Sequence, residues 1–528
     1  MSELTKSRER WGSRIGLILA MAGNAVGLGN FLRFPRQAVE NGGGTFMIPY
    51  FVALILVGIP LMWIEWGVGR YGGQQGQGST PGMFNALWQH PLSKYLGVLG
   101  LFMPFIVLVY YSYLESQTLA WTFFSAINDM RGLETEGMRA YLASYQDLSD
   151  PSIHPTWVPF FFYFVTLSVN FWVVSKGLSG GIEKLAKIGM PLLFIFAAIL
   201  VVRVLTLDAQ PVADAACAAA TACSPIDGLN FMYTPKWEAL AQPSVWLAAT
   251  GQIFFTLSVG MGSLQAYASF LSKKDDIALS GIATVATNET AEVVLGGSLA
   301  IPAVVTFFGV AGAVSIAQGG SFDLGFIAMP LVFNQLPGGA IMTAAAGVMW
   351  FGLLFFAGIT SSVSMITPVK AFLEENLGWT PRFTLRVLFV VAASLGLLHV
   401  VYNSRGFLGE WDYWAGTFGL VILALVETVI FVWIFGPDNA WRELHHGASI
   451  QIPRFFKFIL TYVTPVFLLV MMIWWIVIEA IPTLLMEGVP AEQRGVRTAS
   501  RLVMLAVLIG QILLIRYAWA RKHERGTV

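Results

Sequence analysis

Gly23-Asn24-Ala25-Val26-Gly27-Leu28-Gly29-Asn30 interrupts the first long apolar run of the chain, which covers residues 14–37. Three glycines and two asparagines in eight residues weaken a helix. Main-chain groups freed in lipid cost several kcal/mol each, so such a break survives only where it lines a polar cavity. The sixth apolar run repeats the pattern with Phe254-Phe255-Thr256-Leu257-Ser258-Val259-Gly260-Met261-Gly262. One such patch reads equally well as a helix-packing contact. Two polar, glycine-rich breaks at corresponding positions, five helices apart, point instead to the binding site of a secondary transporter.

The rest of the chain sets the frame. Of 528 residues, 56% are hydrophobic and 12% charged, and the mean hydropathy is +0.67. A soluble domain carries about 25% charged residues, so this is an all-α integral membrane protein and not three or four soluble domains. Apolar runs near 14–37, 45–69, 95–126, 157–175, 182–206, 243–270, 280–312, 338–375, 383–403, 413–435, 456–481 and 499–520 predict twelve transmembrane helices. Lys6, Arg8, Arg10 and Arg14 precede the first run, which has no small-residue cleavage site, so it reads as a spanning helix and not a removed signal. With the N-terminus inside, about 21 of the 31 basic residues fall on the inner side, which places both termini in the cytoplasm. The predicted organisation is a cytoplasmic segment 1–13, helices one to five over 14–206, an extracellular loop 207–242, helices six to ten over 243–435, two more helices over 436–520, and a cytoplasmic tail 521–528. A net charge of zero excludes a nucleic-acid partner; membrane lipid is the expected surround. Cys217 and Cys223, six residues apart in the outer loop, form a disulfide in an oxidising compartment or remain two thiols. The segment 311–337 has no Lys or Arg and can fold back over an outer entrance. No nucleophile–base set appears, which argues against an enzyme. One asymmetric chain with two broken helices fits a channel poorly.

GNAVGLGNFLRFP (23–35), ENGGGTFMIPY (40–50), GIPLMWIEW (58–66), GQIFFTLS (251–258), TNETAEV (287–293) and AGITSS (357–362) closely resemble the neurotransmitter:sodium symporter family, and within it the bacterial leucine-transporting branch. The resemblance spans nearly the whole chain and is thinnest in the outer loops and last two helices. It implies a 5+5 inverted repeat with helices 1 and 6 broken, plus two additional C-terminal helices. It also implies a multi-pass protein of the cell (inner) membrane that imports a small neutral amino acid with two sodium ions. The oligomeric state stays open, a homodimer among the assemblies compatible with it.

Residue by residue, the resemblance assigns a first sodium site to the Ala25 carbonyl, Asn30, Thr256, Asn288 and the substrate carboxylate. A second is assigned to the carbonyls of Gly23, Val26 and Ala357 with the hydroxyls of Thr360 and Ser361. Sodium is a hard cation that takes several oxygens, and these side chains supply them. Ala357, Thr360 and Ser361, at i, i+3 and i+4, share one helix face. A Thr or Ser in a membrane helix more often bonds the preceding turn. For the substrate, the resemblance implies that the carboxylate meets the amides near Leu28 and Gly29 and the Tyr111 hydroxyl. The ammonium meets carbonyls at the breaks, from Asn24 and Ala25 to Phe255, Thr256 and Ser258. Gly27 stands where amine-transporting members carry an aspartate, which favours an amino acid bringing its own carboxylate. Val107, Tyr111, Phe255, Met261, Ser361 and Met365 line an uncharged side-chain pocket. Met261 and Met365 replace an expected phenylalanine and isoleucine, and methionine's flexibility suits a broader apolar range.

Carboxylates inside a membrane default to functional readings. Glu292 lies one turn after Asn288 and stands where chloride-dependent members have a serine. Its own charge predicts chloride independence, and its protonation after sodium release can carry a proton on the return step. Glu65 resembles the family glutamate that accepts main-chain hydrogen bonds at the breaks. Glu115 and Glu427 read as packing residues. An outer gate is implied from Arg33 with Asp412, helped by Gln252, with Phe255 as a lid over the substrate. An inner gate is implied from Arg8, Trp11 and Glu375, with Phe270 in place of the family's tyrosine. Asn288-Glu289-Thr290 matches a glycosylation sequon but falls inside a helix. A non-transporting, sodium-dependent amino-acid receptor on the same fold is the alternative function.

Overall fold

The computed structural model describes residues 9–524. Among them the secondary structure is helical, with two isolated bridges, Gln210 with Cys223 and Ala219 with Ala222, in a loop. The first apolar run forms three pieces, α1 (Arg14–Ala25), α2 (Leu28–Phe31) and α3 (Arg33–Glu40). Ser13 starts α1 by accepting the Gly16 amide at 3.0 Å. Then follow α4 (Gly44–Gln74), α5 (Ser93–Ala126), α6 (Trp157–Ser175) and α7 (Leu178–Leu205). The sixth run is divided into α8 (Pro243–Leu257) and α9 (Ser263–Ala268). Next come α10 (Ile277–Gln318), α11 (Gly339–Leu377), α12 (Pro381–Arg405), α13 (Phe407–Ile434), α14 (Phe455–Leu484) and α15 (Ala491–Glu524). Ten of these are long and apolar enough to cross a membrane; the others are the pieces of the two interrupted runs. The run read as 499–520 begins eight residues earlier, at Ala491, because Glu492, Gln493 and Arg494 extend the helix beyond its apolar part.

The backbone shows why both interruptions are glycine-rich. Val26 and Gly27 are extended, at φ −71°, ψ 105° and φ −128°, ψ −167°. After α8 the chain turns left-handed at Ser258 (φ 52°), Gly260 (φ 73°) and Gly262 (φ 85°). A Cβ on Gly262 would lie 2.7 Å from the Gly100 carbonyl, and one on Gly260 would strike the Leu420 carbonyl. No larger residue fits there. Ser258 is the exception, and a left-handed non-glycine residue costs roughly 1–2 kcal/mol.

Helix α10 carries two irregularities. It widens into a π turn over Thr290–Gly297, which includes Glu292, and kinks at Gly309 (φ 72°). Beyond the kink the Ala311 amide donates to Asp214 at 2.9 Å. Asp214 lies just before Cys217, which forms a disulfide with Cys223, so the two-thiol reading does not hold. Helices α14 and α15 expose apolar rows, among them Val466, Val470, Ile473, Leu505 and Leu513, as lipid-facing helices do.

Candidate functional site

The two interruptions face each other and are bonded together. Ser258 Oγ donates to the Asn24 carbonyl at 2.9 Å, which gives its strained backbone a purpose. Glu65, fully buried on α4, accepts the Gly260 amide. Asn24 Oδ1 accepts Ser263 Oγ at 3.0 Å and also Ser364 Oγ, which ties α1 to α9 and α11. The Asn24 side chain is therefore spent on holding the breaks together and does not line the central cavity.

Around Ser361 the main-chain oxygens converge. Its Oγ lies 3.2 Å from the Gly23 and Ala357 carbonyls, 3.3 Å from that of Asn24 and 3.4 Å from that of Val26. A hydroxyl has one proton, so it serves one of these four acceptors at a time. Asn24 already has Ser258 Oγ and Ala357 lies within the unbroken helix α11, which leaves the Gly23 and Val26 carbonyls at the end of α1 turned toward the same point. Oxygens gathered in this way in an apolar interior are the chemistry of a hard-cation site. Thr360 Oγ1 donates to the Phe356 carbonyl at 2.9 Å, the turn-bonding common in membrane helices, and lies 3.2 Å from Ala357 O.

The second cluster is made of side chains. Asn30 Nδ2 reaches Thr256 Oγ1 at 3.0 Å, Asn288 Oδ1 at 2.8 Å and Glu292 Oε2 at 2.9 Å, while Asn30 Oδ1 accepts the Gly27 amide at 2.8 Å. Asn288 Nδ2 donates to Thr256 Oγ1 at 2.9 Å. In this arrangement an amide nitrogen of Asn30 points into the cluster; turning that amide over presents an oxygen in its place, which a cation requires. Gln252 Nε2 holds Glu292 Oε1 at 2.9 Å. Gln252 is thereby tied to this cluster through Glu292. Sequence reading missed Glu289 and Tyr50, bonded at 2.8 Å beside Asn288, because their pairing joins positions 239 apart.

Ala25, Gly27, Gly29, Asn30, Val107, Tyr111, Phe255, Ser258, Met261, Ser361 and Met365 enclose a central cavity of about 20 Å³, room for about one water. None of the lining side chains is charged. Tyr111 Oη accepts the Leu28 amide at 2.8 Å, so the hydroxyl and the main chain at the break are already joined. Phe255 packs against Gly29, and the Arg33 guanidinium lies over its ring at 4.5 Å. Above it is a cavity of about 220 Å³ bounded by Arg33, Tyr110, Phe322, Phe326 and Asp412. Ser321, Phe322 and Phe326, from the segment 311–337, therefore contribute to its cover. Arg33 and Asp412 share this cavity without forming an ion pair, because Arg33 is over Phe255 and Asp412 accepts the Tyr110 hydroxyl at 2.8 Å.

At the other end, Arg8 lies outside the described residues. Trp11 Nε1 donates to the Tyr267 carbonyl at 3.3 Å and, with Phe270 and Arg14, borders a cavity of about 330 Å³. Glu375 accepts the Gly78 amide at 2.7 Å. The buried Glu183 on α7 accepts the Gly12 amide at 2.7 Å and Ser13 Oγ at 2.9 Å, a clamp on the start of α1 that no local motif announces. Glu115 accepts Asn170 at 3.0 Å and Ser362 at 2.5 Å, and Glu427 accepts Gln265.

The sodium:neurotransmitter symporter family model matches residues 8–207 and 161–488 of the chain. An uncharacterised sodium-dependent transporter of Methanocaldococcus jannaschii is 29% identical over 478 residues, covering 87% of this chain and 89% of that protein. The sodium-dependent nutrient amino acid transporter 1 of Drosophila melanogaster is 25% identical over 538 residues, covering 89% and 78%. The crystal structure of MhsT in complex with L-phenylalanine superposes with a TM-score of 0.74 at 26% identity, covering 88% of this chain and 99% of that one.

Proposed function

The chain belongs to the sodium:neurotransmitter symporter family, and on that premise we propose that it imports a neutral, apolar amino acid with sodium by alternating access. The observation that carries this reading is the uncharged cavity at the two breaks, lined by Ala25, Gly27, Gly29 and Ser258 of the breaks together with Val107, Met261 and Met365. Such a cavity suits a zwitterion whose ammonium meets carbonyls and whose carboxylate meets amides and a cation. The cavity of about 20 Å³ is far smaller than the roughly 300–1,000 Å³ of a drug-sized ligand's pocket and too small for an amino acid, so binding requires Phe255 and the methionines to move apart. A Cβ on Gly27 would sit 2.8 Å from Tyr111 Oη and 3.2 Å from Ser361 Oγ, which leaves that slot to the substrate's own carboxylate.

Two sodium ions are co-substrates in this reading. Asn30, Thr256, Asn288 and the Ala25 carbonyl would hold one, and Gly23, Val26, Ala357, Thr360 and Ser361 the other. Glu292 supplies a negative charge while sodium is bound, which makes chloride unnecessary. The architecture is twelve crossings in a 5+5 inverted repeat plus two helices, in the cell membrane with both termini cytoplasmic. The outer gate is Arg33, Asp412 and the Phe255 lid, and Trp11 and Glu375 belong to the inner one.

Purified protein in vesicles with an inward sodium gradient tests this. The expected outcome is concentrative uptake of a labelled apolar amino acid that collapses when the gradient is dissipated and is unchanged when gluconate replaces chloride. Saturable, sodium-dependent binding without uptake would establish the receptor reading instead. Competition by all twenty amino acids then defines the range, with charged ones expected to fail.

A further inference from the structure

We infer that Arg501 is a positioning residue of the outer gate: through Glu410 it fixes the helix that carries Asp412 against the last two membrane helices. Glu410 lies two residues before Asp412 at the start of α13, and its side chain is 2% exposed. Its Oε2 accepts Arg501 Nε at 2.7 Å and Trp414 Nε1 at 3.0 Å, and Arg497 Nη1 stands 3.5 Å from Oε1. Arg501 belongs to α15, and its remaining donors reach the last turn of α14: Nη1 to the Leu484 carbonyl at 2.8 Å and Nη2 to that of Thr483 at 2.6 Å. One guanidinium thus joins three helices, with each of its three nitrogens bonded.

The neighbouring contacts repeat the connection. Ser500 Oγ donates to the Phe407 carbonyl at 3.0 Å, and Trp411 Nε1 returns a bond to the Ser500 carbonyl at 3.3 Å. Gly406, at φ 78°, lets the chain pass Arg497, whose guanidinium nitrogens would come within 2.8 Å of a Cβ there. A planar fork that bonds a carboxylate and two carbonyls at once fixes orientation as well as distance, which lysine cannot reproduce. Because α13 is held from behind in this way, Asp412 is the fixed half of the gate. Arg33, stacked on Phe255 and bonded to no carboxylate, is the half that moves. Helices α14 and α15, outside the paired repeats, thereby acquire a part in transport.

This inference rests on the reading of Asp412 as an outer-gate residue, and the test separates the two. Leu114, in the outer cavity, is replaced by cysteine as a reporter. Its labelling rate by a membrane-impermeant thiol reagent in sodium buffer is measured in vesicles of the full chain. Asp412→Asn and Arg501→Gln should each raise that rate about fivefold, the low end of coupling between linked elements. The double variant should label no faster than either alone, because both act through one side chain. Arg501→Lys should fall between. An unchanged rate in Asp412→Asn overturns the gate reading itself. A raised rate there with parent-like labelling in Arg501→Gln overturns the positioning role alone, as do multiplying effects in the double variant. Loss of folded protein in both Arg501→Gln and Arg501→Lys would overturn it too, since the bridge would then serve folding.

Discussion

The two oxygen clusters at the breaks sit a few residues apart on one chain and are built from opposite materials. Around Ser361 four main-chain carbonyls from two helices meet one hydroxyl. Around Asn30 the contacts are side chain to side chain, from α8 and α10, with Glu292 among them. A main-chain cluster is set by where the helix ends, so replacing a side chain removes at most one oxygen. A side-chain cluster can be erased by a single substitution, and it admits a charged group. The first design fixes geometry; the second allows charge to be tuned.

The sharpest way to break this contrast is Asn30→Ala. It removes three contacts in the cluster and the bond to the Gly27 amide, and sodium-driven uptake should fall about 100-fold, near 3 kcal/mol. A loss under tenfold would mean that main-chain oxygens carry this site as well. Ser361→Ala should cost less. The carbonyls stay in place, so the sodium concentration for half-maximal uptake should rise about tenfold, one lost hydroxyl ligand. Complete loss of uptake in that variant would show that the hydroxyl, and not the convergence of carbonyls, makes the site. Smallest is the effect of Glu292→Ser in chloride, where uptake should stay within about threefold of the parent; in gluconate it should drop about tenfold. Equal uptake of that variant in both anions would remove Glu292 from the charge balance.

Much of this was legible from residues 23–30 and 254–262, because glycines and polar residues in the middle of an apolar run have few explanations. The helices could be placed from hydropathy alone, and the interrupted ones from composition. Side-chain direction was not legible. Asn24 and Gln252 lie near the predicted functions in sequence, yet each faces a different partner, Ser263 with Ser364 and Glu292 respectively. Arg33 shares a cavity with Asp412 but is stacked on Phe255, since an arginine can stack on a ring or reach a carboxylate from one backbone position. Glu183, Glu289 and Glu410 were passed over because their partners lie far away in sequence, where no spacing rule applies.

Helix α15 runs unbroken for 34 residues, about 51 Å at 1.5 Å per residue, against a hydrocarbon core of about 30 Å. Near one end Arg501 grips α13 and α14; at the other Lys522 Nζ bonds Asn376 Oδ1 at 2.7 Å, at the end of the helix that also carries Thr360 and Ser361. A continuous rod of this kind cannot shorten. Tilt imposed at either end travels along its length, by a route that bypasses the substrate cavity and is out of reach of any ligand lodged there.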